Sequence, residues 1–352
     1  VITVDLGNEM YAGNNLSISR TLAKEMEENL RRGEQTILFM NRRGHSSYIA
    51  CPKCKYVYRC PNCGIALNFH ASDGLLHCHY CNHTEKAPTS CRDRGTETLR
   101  YSGTGTQKVE EQIKKLFPEI KLLRMDADSI SGKNGRDEIL TAFGSGEYDV
   151  LLGTQMITKG LDFPNVTLVG VLNADGLLYS SDFRAYERTF SLITQVTGRA
   201  GRAEKQGRAV VQTYSPAHEV LKFAYGQDYT GFYEDQIKLR KTLLYPPFCD
   251  ICQVVFTAPG EENAFAAADR FIENTASLLE KEENSAIKMS IIKPRATSVP
   301  LVDGKSRVRI LIKCRDDKKT RALVSEVYDG FIKNKENKGV GVAVDMNPLT
   351  IL

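Results

Sequence analysis

Seven of the ten cysteines in this 352-residue chain fall between residues 51 and 91, and no other feature restricts the fold as tightly. Three Cys-x-x-Cys pairs, Cys51/Cys54, Cys60/Cys63 and Cys78/Cys81, are followed by Cys91, where a fourth pair would begin; its second position holds Arg94. Thiolates at this spacing form knuckles whose two sulfurs converge on one tetrahedral ion, so four pairs would make two zinc sites of four cysteines each. In a chain without a secretory signal, the spacing reads as metal ligation before it reads as disulfides.

Pairing of the knuckles is a geometric question. Between Cys63 and Cys78 the run "GIALNFHASDGLLH" holds two short strand-like stretches around the turn "ASDG". A hairpin there would bring the second and third knuckles together, completing one site from Cys60, Cys63, Cys78 and Cys81. The first pair and Cys91 then bracket it as an outer site with three sulfurs only. Arginine keeps its proton and offers no lone pair, so Arg94 is excluded as the fourth ligand. Asp93, His77, His79 and His83 lie near enough in sequence to be considered as substitutes. Cys249 and Cys252 repeat the spacing, but "CDICQVVF" reads as a strand, where positions three apart face opposite ways. The expectation is one complete zinc site and a second, incomplete one.

The chain as a whole is ordinary for a globular protein, at 41% hydrophobic and 26% charged residues. A net charge of +4 neither requires nor excludes a nucleic-acid partner. There is no apolar run near 18 residues and no basic segment leading into an apolar one, which points to a cytoplasmic protein without a membrane partner. The chain opens on "VITVDLGNEM" without an initiator Met and reads as a piece of something longer.

Outside the cysteine stretch, helices and strands alternate. Ile18, Leu22, Met26 and Leu30 recur at a helical step of four, with Ser17 or Ser19 as N-cap and Gly33 as the stop. The buried strand "TILFM" follows. After the insertion come a helix from "GTGTQ", the strand "KLLRM", a helix over 136–143, the strands "DVLLGT" and "VTLVGVL", a helix over 183–197 and the strand "AVVQTY". Such alternation predicts a mostly parallel sheet covered on both faces, an α/β fold. Charged helical residues then run to "YPPF", after which strand 249–257, helix 262–282, strands 287–293 and 306–314, helix 317–333 and strand 339–345 spell a β-α-β-β-α-β domain of split βαβ type.

Two segments carry the functional signal. "GTQMITKGLDFPNVTLVG" sets a glycine turn after a buried strand, and "QVTGRAGR" puts Gln195, Gly198, Arg199, Gly201 and Arg202 at a helix end. Guanidinium groups suit a nucleotide-driven motor because their planar fork reaches charge developing on a γ-phosphate. Alone, "GRAGR" could equally be a solvated basic turn. These segments resemble motifs V and VI of superfamily 2 helicases, and "ILFMNRRG" resembles motif IV. The succession of these with the cysteine insertion, "RYSGTGTQKVEEQI", "DFRAYERTF", "YPPF" and "DMNPLTIL" is similar, nearly end to end, to the primosomal replication restart helicases.

The resemblance implies a RecA-like helicase lobe 2 over 1–48 and 99–215, a zinc-binding insertion over 49–98, a helical connector over 216–245 and a C-terminal α+β domain over 246–352. It implies Arg202 as arginine finger, Arg199 and Gln195 around the nucleotide phosphates, and Gly160 with Asp162 near the nucleotide. Thr154 would contact a DNA phosphate, with Arg42, Arg43 and Thr106 as further DNA contacts. The implied activity is ATP-driven 3′-to-5′ DNA unwinding that restarts stalled forks, using ATP and Mg, with forks, single strands, single-strand DNA-binding protein and primosome proteins as partners. The family places two zincs in the insertion on four cysteine pairs, from which this chain departs at Arg94.

A second departure is larger. The sequence contains no G-x-x-x-x-G-K-[ST] run; "SISGKNGRD" lacks the earlier glycine and the hydroxyl after Lys133. An arginine finger without a phosphate cradle opposite it stabilises no transition state, so these 352 residues alone are expected to be catalytically silent. The rival reading is accordingly a non-catalytic, zinc-containing DNA-binding or interaction module.

Overall fold

A computed structural model supplies the architecture. It describes residues 1–352 except 41–46, 52, 53, 55, 63, 71–73, 79–82, 92–99, 102–105, 126–134, 155–162, 181, 200–206, 350 and 352; of 47, 48, 70, 100, 101, 199, 295 and 298–300 it describes the backbone alone. The chain divides into two compact units. One comprises Val1–Tyr58, Ala66–Leu75 and Lys86–Tyr233, the other Arg59–Ile65, Leu76–Glu85 and Glu234–Leu352.

Along the chain come β1 (Ile2–Asp5), α1 (Leu6–Tyr11), α2 (Arg20–Arg31) and β2 (Gln35–Phe39), then the short strands β3 (Ser47–Ala50), β4 (Asn68–His70), β5 (Leu75–His77), β6 (Thr84–Lys86) and β7 (Arg100–Tyr101). There follow α3 (Thr106–Leu116), β8 (Leu122–Met125), α4 (Gly135–Gly144), β9 (Val150–Gly153), β10 (Val166–Val171), α5 (Asp175–Leu178), α6 (Ala185–Arg199), β11 (Arg208–Thr213), α7 (Glu219–Tyr225) and α8 (Tyr229–Leu243). In the first unit six strands form one sheet in the order β1-β11-β10-β2-β9-β8, every pair of neighbours parallel. Strands buried on both faces need apolar side chains at successive positions. Ile37 and Phe39 of β2, Leu151 of β9 and Val169 and Val171 of β10 pack into one core, shared with α4, α6 and α7. Their neighbours Leu38, Leu152 and Leu168 point into a second core, with Leu22 and Met26 of α2 and Val109 and Ile113 of α3.

Helix α2 shows why the local sequence folds this way. The Ser19 hydroxyl accepts from the Leu22 N–H at 3.1 Å, capping the first turn. Leu22 and Met26, one turn apart, are fully buried against the sheet. The chain leaves the helix through Gly33 at φ 63°, a left-handed value glycine adopts without strain. The helix sits tight on β10 because position 170 is glycine: a Cβ there would lie 2.7 Å from the Leu38 side chain and 3.1 Å from that of Leu22.

In the second unit, β12 (Asp250–Ala258), α9 (Glu261–Leu279), β13 (Ser290–Val302), β14 (Lys305–Cys314), α10 (Lys318–Lys333) and β15 (Gly341–Met346) follow the order β-α-β-β-α-β. The sheet order is β13-β14-β12-β15, antiparallel throughout. Alternate residues of β12 (Cys252, Val254, Phe256, Ala258) and β14 (Val308, Ile310, Ile312, Cys314) face the two helices. The rings of Phe256, Phe271 and Phe331 join strand and helices at centroid separations of 5.5 to 5.8 Å. Cys252 is thus a core residue of β12, and burial pushes its thiol up to about 12. Helix α10 begins at Asp317, whose carboxylate accepts from the Thr320 N–H at 2.9 Å.

Candidate metal centre and helix-end site

The three Cys-x-x-Cys segments share one backbone device. The N–H of each first cysteine donates to the carbonyl five residues on: Cys51 to Tyr56 at 2.9 Å, Cys60 to Ile65 at 2.8 Å and Cys78 to His83 at 2.8 Å. The bond closes each segment between the same two positions. In the second, Gly64 at φ 68° makes the left-handed step and returns its own N–H to the Cys60 carbonyl at 2.8 Å. Cys60 and Cys78 are buried. Their pair partners Cys63 and Cys81 lie outside the described residues, as do Asp93, Arg94 and His79.

Cys51, Cys54 and Cys91 converge. Their sulfurs lie within 4.8 Å of one another, with Cys54 and Cys91 at 3.4 Å. Among the described residues neither His77 nor His83 joins them. Cys51 and Cys91 are buried, whereas Cys54 is half-buried. Burial, with added contributions from Cys91 and Cys51, pushes the Cys54 thiol up to about 11 against the pull of the Tyr56 backbone. Three thiols this close fit a tetrahedral or trigonal thiophilic ion: a bound dication would favour the deprotonated sulfurs that burial alone disfavours. No other cluster of three or more ligating side chains occurs among the described residues.

The second candidate site is the end of α6. This helix is fixed at its start by Asp182, whose carboxylate accepts from the Arg184 N–H at 2.9 Å and pairs with Arg188 at 2.8 Å. Its inner face buries Phe190, Ile193 and Val196. Gln195 is exposed, its amide donating to Ser191 Oγ at 3.3 Å, and Arg199 is the last helical residue, one turn further on. Neighbours four apart share a helix face, so Gln195 and Arg199 share one. Thr154 follows β9; its hydroxyl is buried and has no partner among the described residues. Thr106 opens α3 and is half-buried. Arg42, Arg43, Gly160, Asp162 and Arg202 lie outside the described residues.

Sequence reasoning assigned nothing to Asp175. Its side chain is fully buried in α5 and accepts the Tyr214 N–H at 2.7 Å, tying α5 to the turn after β11. Burial pushes its carboxyl up, opposed by hydrogen bonds from Thr213, Tyr214 and Ser215. The available signal was an acidic residue inside the apolar run "VLNADGLLY". No helix among the described residues is long and apolar enough to cross a membrane.

Comparison with known proteins returns three family models. Residues 84–204 match the helicase conserved C-terminal domain, 60–86 the PriA DNA helicase Cys-rich region domain, and 241–349 the primosomal protein N C-terminal domain. The replication restart protein PriA of Bacillus subtilis (strain 168) is 41% identical over 352 residues, covering 100% of the chain and 43% of the relative. PriA of Chlamydia muridarum is 36% identical over 356 residues, covering 99% of the chain and 46% of the relative. The chain therefore spans less than half the length of these curated relatives. Among solved structures, the C-terminal domain of the DEAD-box protein Dbp5 covers 68% of the chain and 96% of its own, at 13% identity and a TM-score of 0.28, too slight a likeness to carry weight.

Proposed function

The chain belongs to the PriA family of replication restart helicases and matches its C-terminal portion; on that premise we propose that it supplies the second motor lobe of an ATP-dependent 3′-to-5′ DNA helicase that restarts stalled forks and promotes primosome assembly. Arg202 is the arginine finger, and Arg199 and Gln195 surround the nucleotide phosphates. Gly160 and Asp162 lie near the nucleotide. ATP and Mg come with a phosphate-binding lobe, for which this sequence has no glycine-lysine motif. By itself the chain therefore hydrolyses nothing, because guanidinium groups act only on charge held opposite them.

The observation that favours this reading most is the exposed Gln195, which precedes Arg199 by one turn and so shares a helix face with it, on a helix held at its start by Asp182. Thr154, whose buried hydroxyl has no partner among the described residues, takes a DNA phosphate; Arg42, Arg43 and Thr106 add contacts. Forks, single strands, single-strand DNA-binding protein and primosome proteins are the partners, in the cytoplasm. The insertion holds one zinc on Cys60, Cys63, Cys78 and Cys81, and Cys51, Cys54 and Cys91 form a second, incomplete site.

Joining the chain to a relative's phosphate-binding lobe tests the proposal. The fusion is expected to gain DNA-stimulated ATP hydrolysis that neither part has alone, and the isolated chain to bind forks with an affinity that falls steeply with salt. A fusion without hydrolysis would favour a silent interaction module.

A further inference from the structure

We propose that Cys51, Cys54 and Cys91 form a three-thiolate centre whose fourth coordination position is filled from solution, so that it holds zinc loosely and accepts trivalent thiophilic elements that need three sulfurs only. The inference rests on reading the insertion as a metal-binding ribbon. It goes further by assigning this one centre a different ligand class.

Three observations carry it. The sulfurs of these residues, and of no other described residue, lie within 4.8 Å of one another. The position where a fourth knuckle sulfur would stand is Arg94, which has no lone pair to give. Access is one-sided: Cys51 and Cys91 are buried at 1% and 2% exposure, while Cys54 is reached by solvent. A structural zinc site is closed by four protein ligands, and one with three keeps a position that exchanges with the medium. Loss of one thiolate costs zinc a quarter of its bonds. It costs nothing to an element that is complete with three, and soft thiolates select soft partners.

Arsenous acid is a suitable probe. Three S–H groups and three As–OH groups exchange, three As–S bonds form as three As–O bonds break, and three waters leave. Arsenic remains trivalent and the sulfurs remain at the thiol level, so no oxidant or reductant is required.

The test is native mass spectrometry of the reduced, zinc-loaded 352-residue chain, challenged with a chelator and separately with arsenous acid. One zinc is expected to persist while a second leaves about tenfold faster or more. One arsenic per chain replaces the loose ion. Cys54→Ser, at the least buried member, should abolish arsenic uptake and the loose zinc while the tight zinc persists; Cys249→Ser should change neither. Arg94→Cys should give two tight zincs and suppress arsenic uptake. Two equally retained zincs in the unaltered chain, or arsenic uptake that survives Cys54→Ser, would overturn the three-thiolate assignment. Loss of both zincs together would instead count against the ribbon reading on which it rests.

Discussion

The sulfurs of Cys54 and Cys91 lie 3.4 Å apart although 37 residues separate them. Closing a loop of that length costs entropy that grows as about (3/2)RT ln n, and two buried thiols beside a half-buried one offer little in return without a cation. The contact therefore makes physical sense as part of a metal centre, and the insertion's order should depend on metal.

Stripping the metal from the reduced chain should release the knuckles. In hydrogen exchange, the amides of Cys51, Cys60 and Cys78, each bonded to the carbonyl five residues on, should lose protection, while those of the central strands β2 and β10 keep theirs. Unchanged protection at the three cysteines would show that the knuckles stand without metal.

Asp182 fixes the start of α6 through the Arg184 N–H and the Arg188 guanidinium. Arg188 is 35% exposed in its side chain, so the ion pair adds little and the hydrogen bond from the Arg184 N–H dominates. Asp182→Ala should destabilise the first unit by about 1 kcal/mol, seen as a lower urea midpoint at unchanged slope. Because α6 carries Gln195 and Arg199, hydrolysis by the fusion protein should fall with it. Wild-type stability would show that this bond contributes nothing.

Asp175 gives a pH signature. Its folded carboxyl is held above the unfolded value of about 3.9 by burial. In the window above that value the native chain binds more protons than the unfolded one, so stability falls as pH rises from about 4 toward the folded value. Asp175→Asn keeps an acceptor for the Tyr214 N–H without the buried charge, and its stability relative to the unaltered chain should rise with pH over the same window. Parallel curves for the two proteins would contradict this.

Much of the scaffold was legible because its signals are local. Helix α2 carries its own cap, apolar step and glycine stop, and the two-sided burial of β2, β9 and β10 is written as mainly apolar runs, interrupted by Gln35, Thr36 and Thr167. The x2 spacing of the cysteines was legible too, and nesting of the knuckles anticipated that Cys91 would meet the first pair. What escaped is non-local. Strand β1 is a four-residue edge strand whose partner β11 lies some 200 residues away, so its short alternation had no context. The role of Asp175 depends on a backbone N–H 39 residues on, which no pattern around it announces. Gly170 read as one more small residue in a strand, and only the approach of Leu22 and Leu38 gives it a reason.

The central claim is that the "QVTGRAGR" arginines act on a nucleotide held by a second lobe, and the most direct measurement is DNA-stimulated ATP turnover by the fusion protein carrying Arg202→Ala. The account predicts a fall in kcat of about 10³-fold or more with fork affinity unchanged. Turnover within a few-fold of the unaltered fusion would contradict it.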